Sequence, residues 1–249
     1  RKNLEDIYAA VEKIASGDTG STVISLSETF LTSLRWSAEE LGCVLLQGGS
    51  VTAEAKSAAW AKLNQALDFD RLLSALLADC PYELYWYDKT AGVNVGYGIS
   101  ANSGEAWLTS LALAFVPSPD YAGSGGYTVD VLKTQTVSSA VANAQSVVSA
   151  NASKSDSEKL EAYRAYICGQ VSYDHAAAND EDRVYGDPWQ LVYVFDEDPD
   201  TNVVCEGYSK AFQYLCDLSA FSGEVVCYSV TGMMTGGTGA GGHMWNVVA

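Results

Sequence analysis

The sequence predicts an α+β protein with a helical region first, then a block of antiparallel strands, then helices and strands together. Three observations carry that expectation. Apolar residues recur at helical spacing through much of residues 1–80. The pattern stops at Cys80-Pro81 and gives way to runs rich in aromatic and β-branched residues. From Val203 onward, one helix-like segment is followed by two strand-like ones.

Taken in order, RKNLEDIYAAVEKI (1–14) sets Leu4, Ile7, Tyr8, Val11 and Ile14 on one face, an amphipathic helix that closes at the turn GDTG (17–20). From Thr52 to Ala78 an Ala/Leu-rich stretch spaces Trp60, Leu63, Leu67, Leu72 and Leu76 for a buried face. Proline cannot continue a helix, so this stretch ends at Cys80-Pro81. Residues 1–80 are thus expected as an N-terminal helical region and residues 81–249 as the main domain. Glu83–Asp88 (ELYWYD), Val93–Ile99 and Ala106–Val116 read as antiparallel strands, and PSPDYAGSGG (117–126) as a surface loop. A helical stretch follows at about 134–150. Ser155-Asp-Ser-Glu158 has the form of a capping box and opens a helix with Leu160, Tyr163, Ile167 and Val171 on one face. Residues 174–202 are loop-like and acidic, apart from the apolar run WQLVYVF (189–195).

Composition narrows the function. A chain of 249 residues with 48% hydrophobic content can bury a real core. The net charge is −17, with a pI near 4.3. Such a surface repels phosphate, which argues against nucleic acid and anionic lipid as partners; it serves solubility and is compatible with basic substrates. No stretch approaches the roughly 20 apolar residues of a membrane span, and no signal-peptide pattern opens the sequence. The six cysteines (43, 80, 168, 205, 216 and 227) include no C-x-x-C pair and there are two histidines, so neither a structural zinc site nor any other cofactor is expected. Setting Cys205 aside leaves an odd number of thiols. Cys168, Cys216 and Cys227 read as buried, with stability at stake in their replacement. The acidic, Lys-poor, Ser/Thr/Gly/Tyr-rich composition points to an extracellular or cell-surface setting.

The chemistry is concentrated near the end. Val203-Val204-Cys205-Glu206-Gly207-Tyr208 leads into SKAFQYL, where Tyr208, Ala211, Phe212, Leu215 and Leu218 fall at helical spacing. A helix therefore starts close to Cys205. A thiol there faces unpaired backbone N–H groups and the positive end of the helix dipole, which favour thiolate and stabilise an oxyanion on an attacked carbonyl. Glu224–Val230 reads as a buried strand. The glycine-rich segment Met233–Gly242 is expected to be mobile and to gate a cleft. HMWNVV (243–248) then reads as a strand led by His243, which supplies a nitrogen base for the thiol. Trp245 is expected to pack beside the site and exclude water. Alternation puts Asn246 on the face opposite His243. His175, in its acidic loop, reads as exposed and non-catalytic, and Cys216 as packed.

The string VCEGYSKAFQYLCDL, the strand after it, and GHMWNVV together resemble the core of the bacterial transglutaminase-like superfamily. SDSEKLEAYRAYICGQVSYDH, with Val171, Tyr173 and Asp174, and LLADCPYELYW resemble two further motifs of that family, so the likeness extends over about residues 76–249. The resemblance implies a papain/transglutaminase-like core in which a nucleophile helix packs on an antiparallel sheet. It implies acyl transfer or hydrolysis at peptide or glutamine carbonyls through a Cys thioester, with a protein or peptide as substrate. Cys205 would be the nucleophile and His243 the base. Gln190 is the candidate upstream donor to the oxyanion, with Trp189 or Tyr185 as alternatives.

One departure stands out. Family members carry an Asp or Asn on the strand after the histidine to orient the imidazole. Here Ala249 is only six residues beyond His243. The expectation is that the main domain is C-terminally incomplete and that a continuation carries the orienting group; Asp174 is the alternative. A catalytically inactive binding or scaffold module of the same fold is the competing reading of function.

Overall fold

The computed structural model describes residues 2–236 and 241–249. In chain order, α1 (Lys2–Ala15), β1 (Val23–Ser25), α2 (Glu28–Leu31), β2 (Arg35–Ser37), α3 (Ala38–Leu41), β3 (Leu46–Gln47), β4 (Ser50–Val51), α4 (Ala53–Leu67) and α5 (Phe69–Asp79) precede β5 (Val93–Ala101) and β6 (Glu105–Phe115). Then come α6 (Val131–Thr136), α7 (Ser138–Ala150), α8 (Asp156–Gln170), α9 (His175–Asn179), two 3-10 turns at Asp187–Trp189 and Val192–Val194, α10 (Cys205–Asp217), β7 (Cys227–Met234) and β8 (Gly241–Val248). The class is mixed helix and sheet, as expected.

The larger sheet is built around β6, an antiparallel partner of β5 along its length and of the short strands β1 and β2. The helical reading of residues 1–80 therefore needs correction, since β1 to β4 all lie there. Three-residue strands carry no readable alternation; they exist because β6 offers them a hydrogen-bonding edge. α5 ends at Asp79, at the expected break, but the sheet and the main core both run across it: Ile7, Val11 and Ile14 pack in one cluster with Leu111, Phe115, Tyr163 and Leu215.

Two further expectations change. The stretch 52–78 is two helices, because Asp68 takes a left-handed conformation (φ 41°) and its carboxylate caps α5 by accepting from Arg71 N–H at 3.2 Å. ELYWYD is a buried turn, not a strand: Leu84, Tyr85, Trp86 and Tyr87 are all core residues, and among the described residues only Tyr87 makes a β-bridge, to Pro117. The loop from 117 is likewise not all surface, since Ser118 and Tyr121 are buried.

The region that positions the site is α8, α10 and the β7–β8 hairpin. Ser155 and Glu158 cap α8 as the sequence predicts, with Ser155 N–H donating to the Glu158 carboxylate at 2.9 Å. Tyr163 and Ile167 of α8 are buried. α10 packs on both strands of the hairpin, and polar side chains fasten the contact. Gln213 donates to the Ala78 carbonyl at 2.7 Å and accepts from Ser229 N–H at 3.0 Å. Asn246 donates to the Ser209 carbonyl at 2.9 Å. β7 is half exposed and not the buried strand expected; Cys227 is its one fully buried residue. The hairpin also reaches further into the glycine-rich segment than anticipated, because Met233 pairs with Gly242 and Met234 with Gly241. Of the expected gating loop, Met233–Gly242, residues 237–240 lie outside the described residues.

Candidate active site

Cys205 is the first residue of α10. Its position follows from the segments that grip the residues before it. Val204 N–H donates to the Pro188 carbonyl at 2.8 Å, and Val203 pairs with Tyr173 in a parallel bridge. Asp174 N–H donates to the Val203 carbonyl at 3.0 Å, and Val203 N–H to that of Ser172 at 3.3 Å. Gly207 lies so close to residues 188–190 that a Cβ there would stand 2.9 Å from the Gln190 carbonyl oxygen and 3.1 Å from that of Pro188. The N-cap residue Val204 has no side-chain acceptor to offer the first turn of α10.

The backbone pairing sets Tyr173 beside the thiol. The Tyr173 hydroxyl has a raised pKa, from burial first and then from the Cys205 thiol against it. Its ring stacks on Tyr208 at 6.4 Å, and the Tyr208 hydroxyl donates to the Val171 carbonyl at 2.9 Å. Sequence reading had placed Tyr173 only within a motif. Its contact with the thiol depends on pairing between segments 30 residues apart (172 and 202 are tied by Asn202 accepting from Ser172 N–H).

Cys205 and His243 line one cleft of about 610 Å³, together with Tyr173, His175, Trp189 and Asp180. Among the described residues no hydrogen bond joins the thiol to the imidazole; the recorded ring contact of His243 is a stack on Trp245 with centroids 6.5 Å apart. Trp245 is 42% exposed and lies over Gly232, so it does not seal the site from water as expected. His175 is exposed, as read, yet it lines the same cleft, its ring 5.0 Å from that of Tyr173. The Asp174 carboxylate, the alternative orienting group, accepts from Ala177 N–H at 2.8 Å and so is occupied as the cap of α9.

Gln190 is placed elsewhere. It is 1% exposed and does not line the cleft. Its amide nitrogen donates to the Tyr185 hydroxyl at 3.0 Å and its carbonyl oxygen accepts from Lys210 Nζ at 2.6 Å. With both ends engaged, the amide serves the packing behind α10, and Tyr185 sits in the same network. Of the three upstream donors considered, only Trp189 faces the cleft.

That network is centred on Glu206, the residue after Cys205. Its carboxylate pairs with Lys89 and with Lys210 (3.0 Å) and accepts from the Tyr185 hydroxyl at 2.7 Å. Burial pushes the Glu206 carboxyl up, but the two ammonium groups outweigh it and hold it below its ordinary value. Burial lowers Lys210, opposed by Glu206. An unpaired charge here would be costly, whereas a paired and hydrogen-bonded one fixes geometry. The signal available in the sequence was a Glu and a Lys four residues apart on one helix. Lys89 gave none. Cys216 is buried as expected, but Cys168 is exposed, which removes the packing argument for it.

The arrangement offers a thiol at a helix start, an adjacent phenol, two imidazoles lining the same cleft, and an ionic network behind the helix. Among the described residues no group of His, Cys, Asp and Glu is arranged to hold a metal ion, and no helix is long and apolar enough to cross a membrane. No family model matches the chain, and no curated protein matches it.

Proposed function

We propose that this chain is a transglutaminase-like cysteine enzyme that transfers or hydrolyses acyl groups of peptide or glutamine carbonyls through a thioester on Cys205. The observation that carries this reading is that Cys205 opens α10 in the same cleft that receives His243. The motif resemblance of residues 203–215 and 242–248 supplies the class of chemistry, including the papain-like core. The Cys205 thiolate attacks the carbonyl carbon, and the oxyanion is met by N–H groups of the first turn of α10 and by the Tyr173 hydroxyl. The His243 imidazolium protonates the departing amine, and water or a second amine then takes the acyl group. For this step the His243 imidazole must come within hydrogen-bonding reach of the thiol.

The test is limiting iodoacetamide at pH 6–7 followed by peptide mass spectrometry, alongside turnover of a glutamine-containing peptide. Cys205 should label well ahead of the other five thiols, and Cys205→Ala should abolish turnover with the fold intact. Preferential labelling of another cysteine overturns the assignment. A second reading, a binding or scaffold module without turnover, is favoured by the lack of a hydrogen bond between Cys205 and His243. It predicts even labelling of the accessible thiols and no turnover.

A further inference from the structure

One carboxylate stands in the Cys205 cleft. Asp180 directly follows α9 and lines the cleft with Cys205, His175 and His243. Histidines aside, it is the one formally charged side chain among the described lining residues. Arg183, the nearest cation along the chain, does not line the cleft. The carboxylate is held by its own turn: Asp180 Oδ1 accepts from Asp182 N–H at 3.1 Å, and the Asp180 carbonyl accepts from Arg183 N–H at 3.3 Å. Among the described residues its Oδ2 takes no hydrogen bond, and the carboxylate enters no salt bridge. α9 is anchored as well. Ala177 is buried, Asn179 Nδ2 donates to the His175 carbonyl at 2.7 Å, and Asp174 N–H ties the start of α9 to the Val203 carbonyl, just ahead of Cys205. This short helix therefore sets Asp180 about 7.5 Å along its axis from His175. Tyr173 and Trp189 line the same cleft, and aromatic rings attract cations to their faces.

We propose that Asp180 is a specificity-determining residue, selecting peptides with a lysine or arginine side chain within two residues of the carbonyl that Cys205 attacks; this rests on the acyl-transfer reading of Cys205. Spacing sets the range. An extended peptide advances about 3.3 Å per residue, so two residues span roughly the length of α9 between His175 and Asp180. A carboxylate with one oxygen free takes an ammonium or guanidinium through a charge-assisted hydrogen bond. An acidic side chain in the same place meets like charge and is rejected. The net charge of −17 draws cations to the whole surface, but a carboxylate inside the cleft discriminates among positions along a bound peptide.

The experiment uses the full chain and three peptides that carry a side-chain chloromethyl ketone in place of the reacting glutamine. The two residues on either side of it are all lysine, all norleucine or all glutamate. Rates of Cys205 alkylation are read by peptide mass spectrometry. The lysine peptide should react roughly three- to tenfold faster than the glutamate peptide, with norleucine between them, and added salt should shrink that ratio. Asp180→Asn keeps an oxygen for the Asp182 N–H and removes the charge, so the ratio should fall most of the way to one. Glu39→Gln removes a charge on α3, outside the cleft, and should leave the ratio near that of the parent. A ratio near one in the parent, a ratio unchanged by Asp180→Asn, or a ratio lowered equally by Glu39→Gln overturns the role of Asp180, while labelling of Cys205 leaves the acyl-transfer reading standing. If none of the three peptides alkylates Cys205, the acyl-transfer reading itself fails and the role of Asp180 falls with it.

Discussion

The Tyr173 phenol lies beside the Cys205 thiol, and this has a chemical consequence. Burial, and then Cys205 itself, keep the Tyr173 hydroxyl protonated at neutral pH. A protonated phenol donates to a thiolate, and hydrogen bonds to charged groups contribute about 1.5–3 kcal/mol. Tyr173→Phe should therefore slow alkylation of Cys205 at pH 6–7 by roughly tenfold. Rates measured across pH for both proteins decide it; superimposable profiles would mean that the hydroxyl only fills space.

At the scale of elements, the start of α10 is defined by how closely another segment approaches it. A Cβ at Gly207 would lie 2.7 Å from Val203 Cβ and near two backbone carbonyl oxygens, none of them the flexible end of a side chain. Gly207→Ala must displace either the helix or the 188–190 turn. Overpacking of this kind costs about 1–3 kcal/mol, against a gain of under about 1 kcal/mol from the better helix former. Urea unfolding should show a net loss of about 1–2 kcal/mol; a variant as stable as the parent would mean that the approach is looser than the geometry indicates.

For the whole molecule, the excess of acid sets the response to pH. Asp187, at the start of the turn that backs α10, is pushed up to about 7, first by burial and then by Asp120, with Asp196 adding to the rise and the Tyr121 and Tyr193 hydroxyls opposing it. Its ordinary value is 3.8, so folding prefers the protonated acid. That contribution is complete below about pH 4, declines as pH rises towards about 7, and is gone above it. Glu206 runs the other way. Held below 4.5, it stabilises the fold above that pH and loses the effect as pH falls through its lowered folded value. Asp187→Asn should therefore gain on the parent by about 1–4 kcal/mol between pH 4 and pH 8 in denaturant titrations. A constant difference across that range would rule out a buried, repelled carboxyl.

The sequence by itself determined the parts whose cause is local. The capping box at Ser155, the β5 and β6 strands, a helix beginning at Cys205 and a strand carrying His243 all follow from periodicity, capping chemistry and breaks within a few residues. Tertiary structure alone decided the rest. ELYWYD alternates like a strand but becomes a turn because all four of its central residues are taken into the core. β1 and β2 are strands only because β6 pairs with them. Gln190 faces Lys210 and not the cleft, and Lys89 reaches Glu206 across 117 positions of chain. Periodicity records which face of an element is buried. Which distant group meets it there is set by chain closure, and that leaves no local pattern to read.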